Sequence, residues 1–248
     1  MKMRKKLMMS NVKSMNRQPN FSKTKSDHTL SALKAVASAI PYIGGPLGSL
    51  LSDYLPDSVE KRKTEFLTKL AEELDVVQDR LQGDFISKDY FISTFMQSFR
   101  RAIENHQEEK IGAFRAIIVN AAIDQNPRED EIAIFISITD RLTPLHLKLL
   151  KILFDPQRVV DSDEPARLRF ESISMGGLST LFEMLLANYP VDLVSIAFHD
   201  LYNMGLQNTE RSGVTMTRSG IVAKRTTEFG DRYLNYISLP NDVDRQLQ

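Results

Sequence analysis

Apolar residues recurring every three to four positions are what most restrict the fold of this chain. Phe91, Phe95 and Phe99 repeat every four residues, joined by Ile92, Met96 and Ile103. Only a helix with one buried face puts such residues on one side. An aromatic stripe at this spacing is core rather than a ligand box. Leu67, Leu70, Leu74, Val77 and Leu81 recur at 3, 4, 3 and 4. That is an a/d seam too short for a coiled coil, so it is expected inside the domain or at a dimer contact. Further helices are read from Ile111, Phe114, Ile117, Ile118 and Ala121, and from Ile132, Phe135, Ile136 and Ile138. The β-branched content of the latter leaves a strand as its alternative. Leu145, Leu147, Leu149, Leu150, Ile152 and Leu153 mark the next helix, and Leu178–Asn188 and Asp192–Met204 two more. The expected fold class is mainly α.

Local signals punctuate this pattern. Asp57-x-x-Glu60 after Pro56 resembles a capping box, and Ser87 is the expected cap of the Phe-rich helix. Asn126-Pro127 followed by Glu129, Asp130 and Glu131 places acids over a helix N-terminus, and Thr143-Pro144 is a second start of this kind. Gly83 and Asp155-Pro156 read as stops. Residues 155–175 then read as a long polar loop or insertion, and Tyr189-Pro190-Val191 as a turn between helices.

The 248 residues suffice for one large or two ordinary domains. The sequence divides into a basic arm (1–28), a helical bundle (29–140), a second helical domain (141–240) and a short tail (241–248). The chain lacks Cys, which excludes disulfides and thiolate metal sites and fits a reducing cytosol. The net charge of zero hides an asymmetry. Of the 32 Lys and Arg, eight lie within residues 1–26, Lys5 and Lys6 among them, where there is no acid; the remaining 24 face all 32 acidic residues. The arm has the charged start of a signal peptide but no apolar core after Leu7, Met8 and Met9, so a cytoplasmic protein is expected. The arm is either a solvated tail or a contact for nucleic acid or anionic lipid.

Residues 30–55 are unusual. Ala35 to Ser52 is an uncharged run of eighteen residues, the length at which a membrane span becomes a candidate. Pro41, Gly44, Gly45 and Pro46 break it in the middle. Each half is amphipathic: Leu30, Leu33, Val36, Ala37 and Ile40 before the break, Leu47, Leu50, Leu51 and Tyr54 after it. A helical hairpin is expected, with Gly44 or Gly45 at a positive φ or a close approach. Packed under the neighbouring helices it is core. Released, its residues Ile40, Tyr42, Ile43, Gly44, Gly45, Leu47, Leu50 and Leu51 would form a membrane-active hairpin, and the protein would associate with membranes.

The C-terminal stretch Gly213–Ile237 suggests two β-rich runs, Val214–Thr217 and Ile221–Thr226, joined at Arg218-Ser219-Gly220 as a hairpin. Thr227 then caps a helix carrying Phe229, Tyr233, Leu234 and Ile237. Together with D-L-Y-N-M-G-L ending at Leu206 and R-T-T-E-F-G from Arg225, residues 142–238 resemble the winged-helix superfamily. The resemblance implies a helix, helix, hairpin, helix order with a small β-hairpin wing, and binding of DNA, RNA or protein. Its third helix would be Asp192–Met204.

That helix contains Asp192 and Asp200 and no Lys or Arg. Phosphate contact needs cations, and only Arg218, Lys224 and Arg225 on the expected wing supply them. The pattern favours a protein partner, a second copy of the chain included, over nucleic acid. No catalytic constellation is legible. His28, His106, His146 and His199 are scattered without metal-ligand spacing. Met175-Gly176-Gly177-Leu178-Ser179 lacks the Lys of a nucleotide loop and reads as a plain helix start. No cofactor, metal or small-molecule substrate is expected. The reading is a non-enzymatic regulator or adaptor acting by protein binding, with DNA binding as its weaker form. The alternative is a membrane-active effector of toxin or defence type.

Overall fold

The structure, a computed structural model, describes residues 57–81 and 85–240, together with Ser31 and Lys34. Lys5, Lys6, the basic arm, the 241–248 tail and the candidate hairpin residues Ile40, Tyr42, Ile43, Gly44, Gly45, Leu47, Leu50 and Leu51 lie outside the described residues.

The helical periodicity translates directly into helices. In chain order these are α1 (Asp57–Val76), α2 (Asp89–Glu104), α3 (Glu108–Ile123), α4 (Glu129–Arg141), α5 (Pro144–Phe154), α6 (Pro156–Ser162) and α7 (Glu164–Glu171). Strand β1 (Met175–Gly176), α8 (Leu178–Leu185), α9 (Val191–Asn203), β2 (Met216–Thr217), α10 (Arg218–Ile221) and α11 (Glu228–Tyr236) follow. The protein is mainly helical, with one small two-stranded antiparallel sheet. Among the described residues no helix is long and apolar enough to cross a membrane.

The core is built around α3. Ten of its sixteen residues are buried, and from Ala116 to Ala122 only Asn120 is not. Packed against it, Phe91, Phe95 and Phe99 of α2 are fully buried and stack along the helix with ring centroids 6.5 and 5.4 Å apart. Burying one such ring is worth about 2–3 kcal/mol. Leu67, Leu70, Leu74 and Val77 line the buried side of α1 and its end, so the 3-4 seam faces the core. A single apolar cluster runs from Phe66 to Ile237 and continues across position 140. There Phe135 of α4 meets Phe229, Tyr233 and Tyr236 of α11, with centroids 5.4–5.7 Å apart.

Polar ties cross the same region. Thr139 Oγ donates to the Phe135 carbonyl, so the Tyr233 hydroxyl 3.0 Å away donates to Thr139. Asn120 Nδ2 donates to the carbonyls of Tyr236 and Ser238, each at 2.9 Å. Lys110 Nζ donates to the Asp140 carbonyl at 2.7 Å, setting a cation on the C-terminal end of α4. Burial lowers the pKa of this ammonium from its ordinary value, and the nearby Asp140 partly offsets the shift.

Several local expectations are corrected. Residues 155–175 do not form a loop. Asp155 accepts from the Arg158 N–H and Asp163 from the Ala166 N–H, each with Pro in the first turn beyond it. The Asp-Pro pair that ends α5 is therefore also the start of α6, and the same chemistry starts α7. Ser87 does not cap α2; it ends a 3-10 turn (Phe85–Ser87), and Lys88 precedes the helix without a side-chain cap. The cap residue of α4 is Arg128 rather than Asn126.

The expected hairpin between Val214–Thr217 and Ile221–Thr226 does not form. Met216–Thr217 pairs instead with Met175–Gly176, joining Met175 to Thr217 and Gly176 to Met216. Thr217 Oγ accepts from the Gly220 N–H, a cap that turns Arg218–Ile221 into helix just where the second strand would begin. Thr226 makes an isolated antiparallel bridge with Gln207.

That bridge belongs to a tight junction. Gly205 ends α9 at φ 72°, a left-handed conformation suited to glycine. Thr227 caps α11 through the Gly230 N–H and also donates from its hydroxyl to the Gly205 carbonyl at 2.6 Å. Gly230 is pressed so close that a Cβ there would lie 2.0 Å from the Leu206 carbonyl oxygen. Gly230→Ala is expected to cost on the order of 3 kcal/mol, since backbone rather than a flexible side chain must move. Tyr233→Phe is expected to cost about 1 kcal/mol, because it removes one buried hydrogen bond and leaves Thr139 bonded to Phe135. Urea unfolding of the full chain measures both; a Gly230→Ala midpoint equal to wild type would show that the junction yields.

Candidate functional site

Helix α9 carries more apolar residues than one buried face needs. Val194, Ala197, Phe198 and Leu201 follow i, i+3, i+4, i+7 and are all buried. Phe198 packs on Phe182 of α8 with ring centroids 5.5 Å apart. The remaining apolar residues are turned outward: Val191 is 74% exposed, Leu193 47% and Ile196 56%. A surface helix ordinarily places polar side chains there.

Two grooves flank the outward face of α9, Val191 lining one and Leu193 and Ile196 the other. One, of about 360 Å³, lies between α9 and the start of α5, where Leu193, Ile196 and Ala197 face Pro144, Leu145 and Tyr189, with Gln107 at the edge. The other, of about 330 Å³, lies between α8 and α9, where Val191 and Val194 face Phe182 and Leu186, with Glu183 among its lining residues. Tyr189, in the turn joining the two helices, lines both. Lys148 Nζ sits 5.9 Å from the Tyr189 ring centroid.

The first groove is fixed by the N-terminus of α5. Thr143 and His146 form a reciprocal capping box, with His146 in the place usually taken by Glu or Gln. His146 Nδ1 accepts from the Thr143 N–H at 3.2 Å, which puts the ring proton on Nε2, 3.4 Å from Asp200 Oδ2 on α9. The histidine thereby ties α9 to α5. Asp200 does not engage its neighbour His199, whose ring lies against the Ser195 carbonyl instead.

Of the five candidate nucleic-acid residues, the three among the described residues are each engaged within the fold. Arg218 donates to the carbonyls of Ile173 and Glu171 at 2.6 and 2.7 Å, closing the C-terminal end of α7. Lys224 Nζ is 2.6 Å from Asp231 Oδ2 and 4.6 Å from the Phe154 ring centroid. Arg225 is half-buried and donates to the Gly220 carbonyl at 2.6 Å, while its backbone N–H bonds the Leu153 carbonyl. The Gly176-Gly177 step is closed too: the Ser179 N–H at the start of α8 donates to the Ser212 carbonyl, which lies 2.7 Å from where a Gly177 Cβ would stand. Among the described residues no group of three or more His, Cys, Asp or Glu is placed to hold a metal ion.

Among the described residues Glu73 and Arg115 form the most buried ion pair, at 2.9 Å with side chains 16% and 12% exposed. Desolvation raises the Glu73 pKa against the opposing pull of Arg115. The pair joins α1 to α3 beneath Phe66, and its role is packing.

Sequence reasoning does not single out Leu193 and Ile196. The signal is present, because Leu193, Val194, Ile196, Ala197 and Phe198 together exceed one helical stripe. Which of them remain outside depends on the helices they meet. Compared with protein-family models, curated proteins and solved structures, the chain matches none.

The full chain is expected to bind duplex DNA no more tightly than ~10⁻⁵ M at physiological salt, the non-specific range. Arg218→Ala with Lys224→Ala should leave that affinity unchanged. Fluorescence anisotropy across salt concentrations checks this; sequence-selective binding lost on those substitutions would restore a nucleic-acid role.

Proposed function

We propose that this protein is a non-enzymatic regulator or adaptor that binds a protein partner through α9. In this reading residues 142–238 are a module of winged-helix type whose third helix serves protein recognition rather than DNA. The order α5, β1, α8, α9, β2, with β1 against β2, supports that module, although its strands are short and the expected hairpin is missing.

The observation that carries the function is a pair of apolar grooves on the two flanks of α9, one bearing the exposed Val191 and the other the exposed Leu193 and Ile196. Apolar grooves whose walls remain exposed beside polar residues mark an interaction site. Grooves on either side of a helix suit an amphipathic partner helix, whose residues at i, i+3, i+4 and i+7 would enter them. The charges of α9, Asp192 and Asp200, oppose a polyanion and accept a basic rim on the partner. The basic side chains expected to grip DNA already hold the C-terminal region together.

The test uses the full chain as bait in native cell extract treated with nuclease. Leu193→Asp with Ile196→Asp alters exposed positions. With Asp192 and Asp200 four residues either side of position 196, the cost is roughly 1 kcal/mol per site, which a melting curve checks. Proteins recovered by wild type and by the surface control Ile134→Asp should be lost with the double variant. Recovery of the same set by all three baits would remove α9 from partner binding.

A further inference from the structure

We propose that the groove between α8 and α9 is a binding site for a small organic ammonium ion, a protonated amine on an apolar body the size of one ring. Glu183 holds the charge and the groove walls hold the apolar body. The proposal goes beyond the partner reading and does not rest on it. This groove lies on the Val191 flank of α9, whereas Leu193 and Ile196 line the other one. An amine and a partner helix would compete for it.

The walls of the groove are two helical faces. Ser179, Phe182, Glu183 and Leu186, along α8 and at its C-terminal end, stand at i, i+3, i+4 and i+7, so they share one side of the helix. Val191, Val194 and Ser195 of α9 stand at i, i+3 and i+4. Phe182 is buried and packs on Phe198 of α9, which fixes the two walls against each other. The Ser179 N–H donates to the Ser212 carbonyl at 3.0 Å, so Ser212 joins the groove beside the start of α8. The volume is about 330 Å³, within the range of roughly 300–1,000 Å³ that small-molecule sites occupy. Such sites combine apolar and aromatic walls with a few polar groups. Phe182, Leu186, Val191 and Val194 supply the first, and Glu183 with three serines the second.

The polar groups of this groove are not engaged by the fold. Among the described residues the Glu183 carboxylate and the hydroxyls of Ser179, Ser195 and Ser212 have no hydrogen-bond partner, and Glu183 has no ion pair. Ser179 is not needed to start α8, because Thr180 Oγ accepts from the Gly177 N–H in the capping position. The first groove differs. There Thr143 and His146 already bond each other, and His146 also bonds Asp200. Only the α8–α9 groove offers a charged group and hydroxyls still free to meet a ligand.

The charge selects the ligand. Glu183 is the one carboxylate among the lining residues, and no Lys, Arg or His lines the groove with it. Asp192 and Arg211 each adjoin a lining residue in sequence and offset one another. Lys148 stands 5.9 Å from the Tyr189 ring centroid, where the ring's face occupies it. A carboxylate beside apolar walls attracts a cation more strongly than one in open water. An ammonium carries three N–H donors, and the carboxylate and serine oxygens are acceptors for them. An apolar body on that ammonium covers Phe182, Leu186 and Val191 and leaves water as it does so. An anion of the same shape meets Glu183 with like charge and is rejected.

The test titrates the isotope-labelled full chain with phenethylammonium as the probe and follows backbone amide shifts by NMR. Phenethyl alcohol is the neutral isostere and phenylpropionate the anionic one. A melting curve first shows that each variant is folded. Wild type is expected to bind the ammonium in the low millimolar range, about fivefold more tightly than the alcohol, and to leave the propionate unbound. The largest shifts should fall at Ser179, Glu183 and Ser195. Glu183→Gln should lower the ammonium to the affinity of the alcohol and leave the alcohol unchanged. Added salt should weaken the ammonium alone. Ser195→Trp, at an exposed position on the groove wall, fills the groove and should abolish both. No saturable shift with the ammonium, equal affinity of wild type for ammonium and alcohol, or unchanged ammonium binding in Glu183→Gln or in Ser195→Trp would each overturn the proposal. No arm of this test involves a protein partner. Its failure therefore leaves the docking reading standing, and loss of the docking reading leaves this site standing.

Discussion

The structure depends on one constraint: α3 is apolar on too many faces to stand at a surface. A helix whose buried residues run almost without interruption from Ala116 to Ala122 must be surrounded. α1 and α2 cover it from one direction, α4 and α5 from others, and α11 returns from the C-terminal end of the chain to complete the enclosure. Asn120, the exception in that run, is where the enclosure becomes polar, and its amide is spent on the last carbonyls of α11 and beyond. The segments before and after position 140 are therefore joined through α3 and through Phe135, whose ring is shared with three aromatic side chains of α11.

Bringing α11 back requires the chain to turn sharply after α9, and the sequence supplies the residues that permit it. Gly205 adopts a conformation that costs other residues energy, and Gly230 offers no side chain to the Leu206 carbonyl. Between them Thr227 serves both helices, accepting from the first turn of α11 and donating to the Gly205 carbonyl just past the end of α9. Asp231 gathers the hydroxyl of Thr226 and the ammonium of Lys224 at the same place. The cations of this region are thereby committed to folding. Lys224 is paired with Asp231, while Arg218 and Arg225 donate to backbone carbonyls.

The energetic logic of α9 differs from that of the helices packed into the bundle. Its buried stripe fixes it on α5 and α8, and His146 holds it by a side-chain bond to Asp200. With that stripe satisfied, Val191, Leu193 and Ile196 keep much of their apolar surface in water. Surface of this kind persists in proteins when something covers it.

The mainly helical fold was legible because its signals are local. A period of 3.6 residues, a Thr-Pro or Asp-Pro start and a Thr cap before Glu228 are each decided within one or two turns. The Phe91, Phe95 and Phe99 stripe and the Thr143 and Thr227 caps stand in the structure where those signals place them. Asp155-Pro156 is equally local, yet one dipeptide ends a helix and begins another, so its sequence meaning is double. Strand pairing was not legible. Met216 and Thr217 have β propensity wherever they sit, but their partner, Met175-Gly176, is about forty residues away and is brought to them by the packing of α8 and α9. The site follows the same division. Sequence alone determined that α9 is acidic and rich in apolar residues. Only tertiary structure decided that Val194, Ala197, Phe198 and Leu201 go inside and Leu193 and Ile196 remain out, because burial is a property of the neighbours a helix meets.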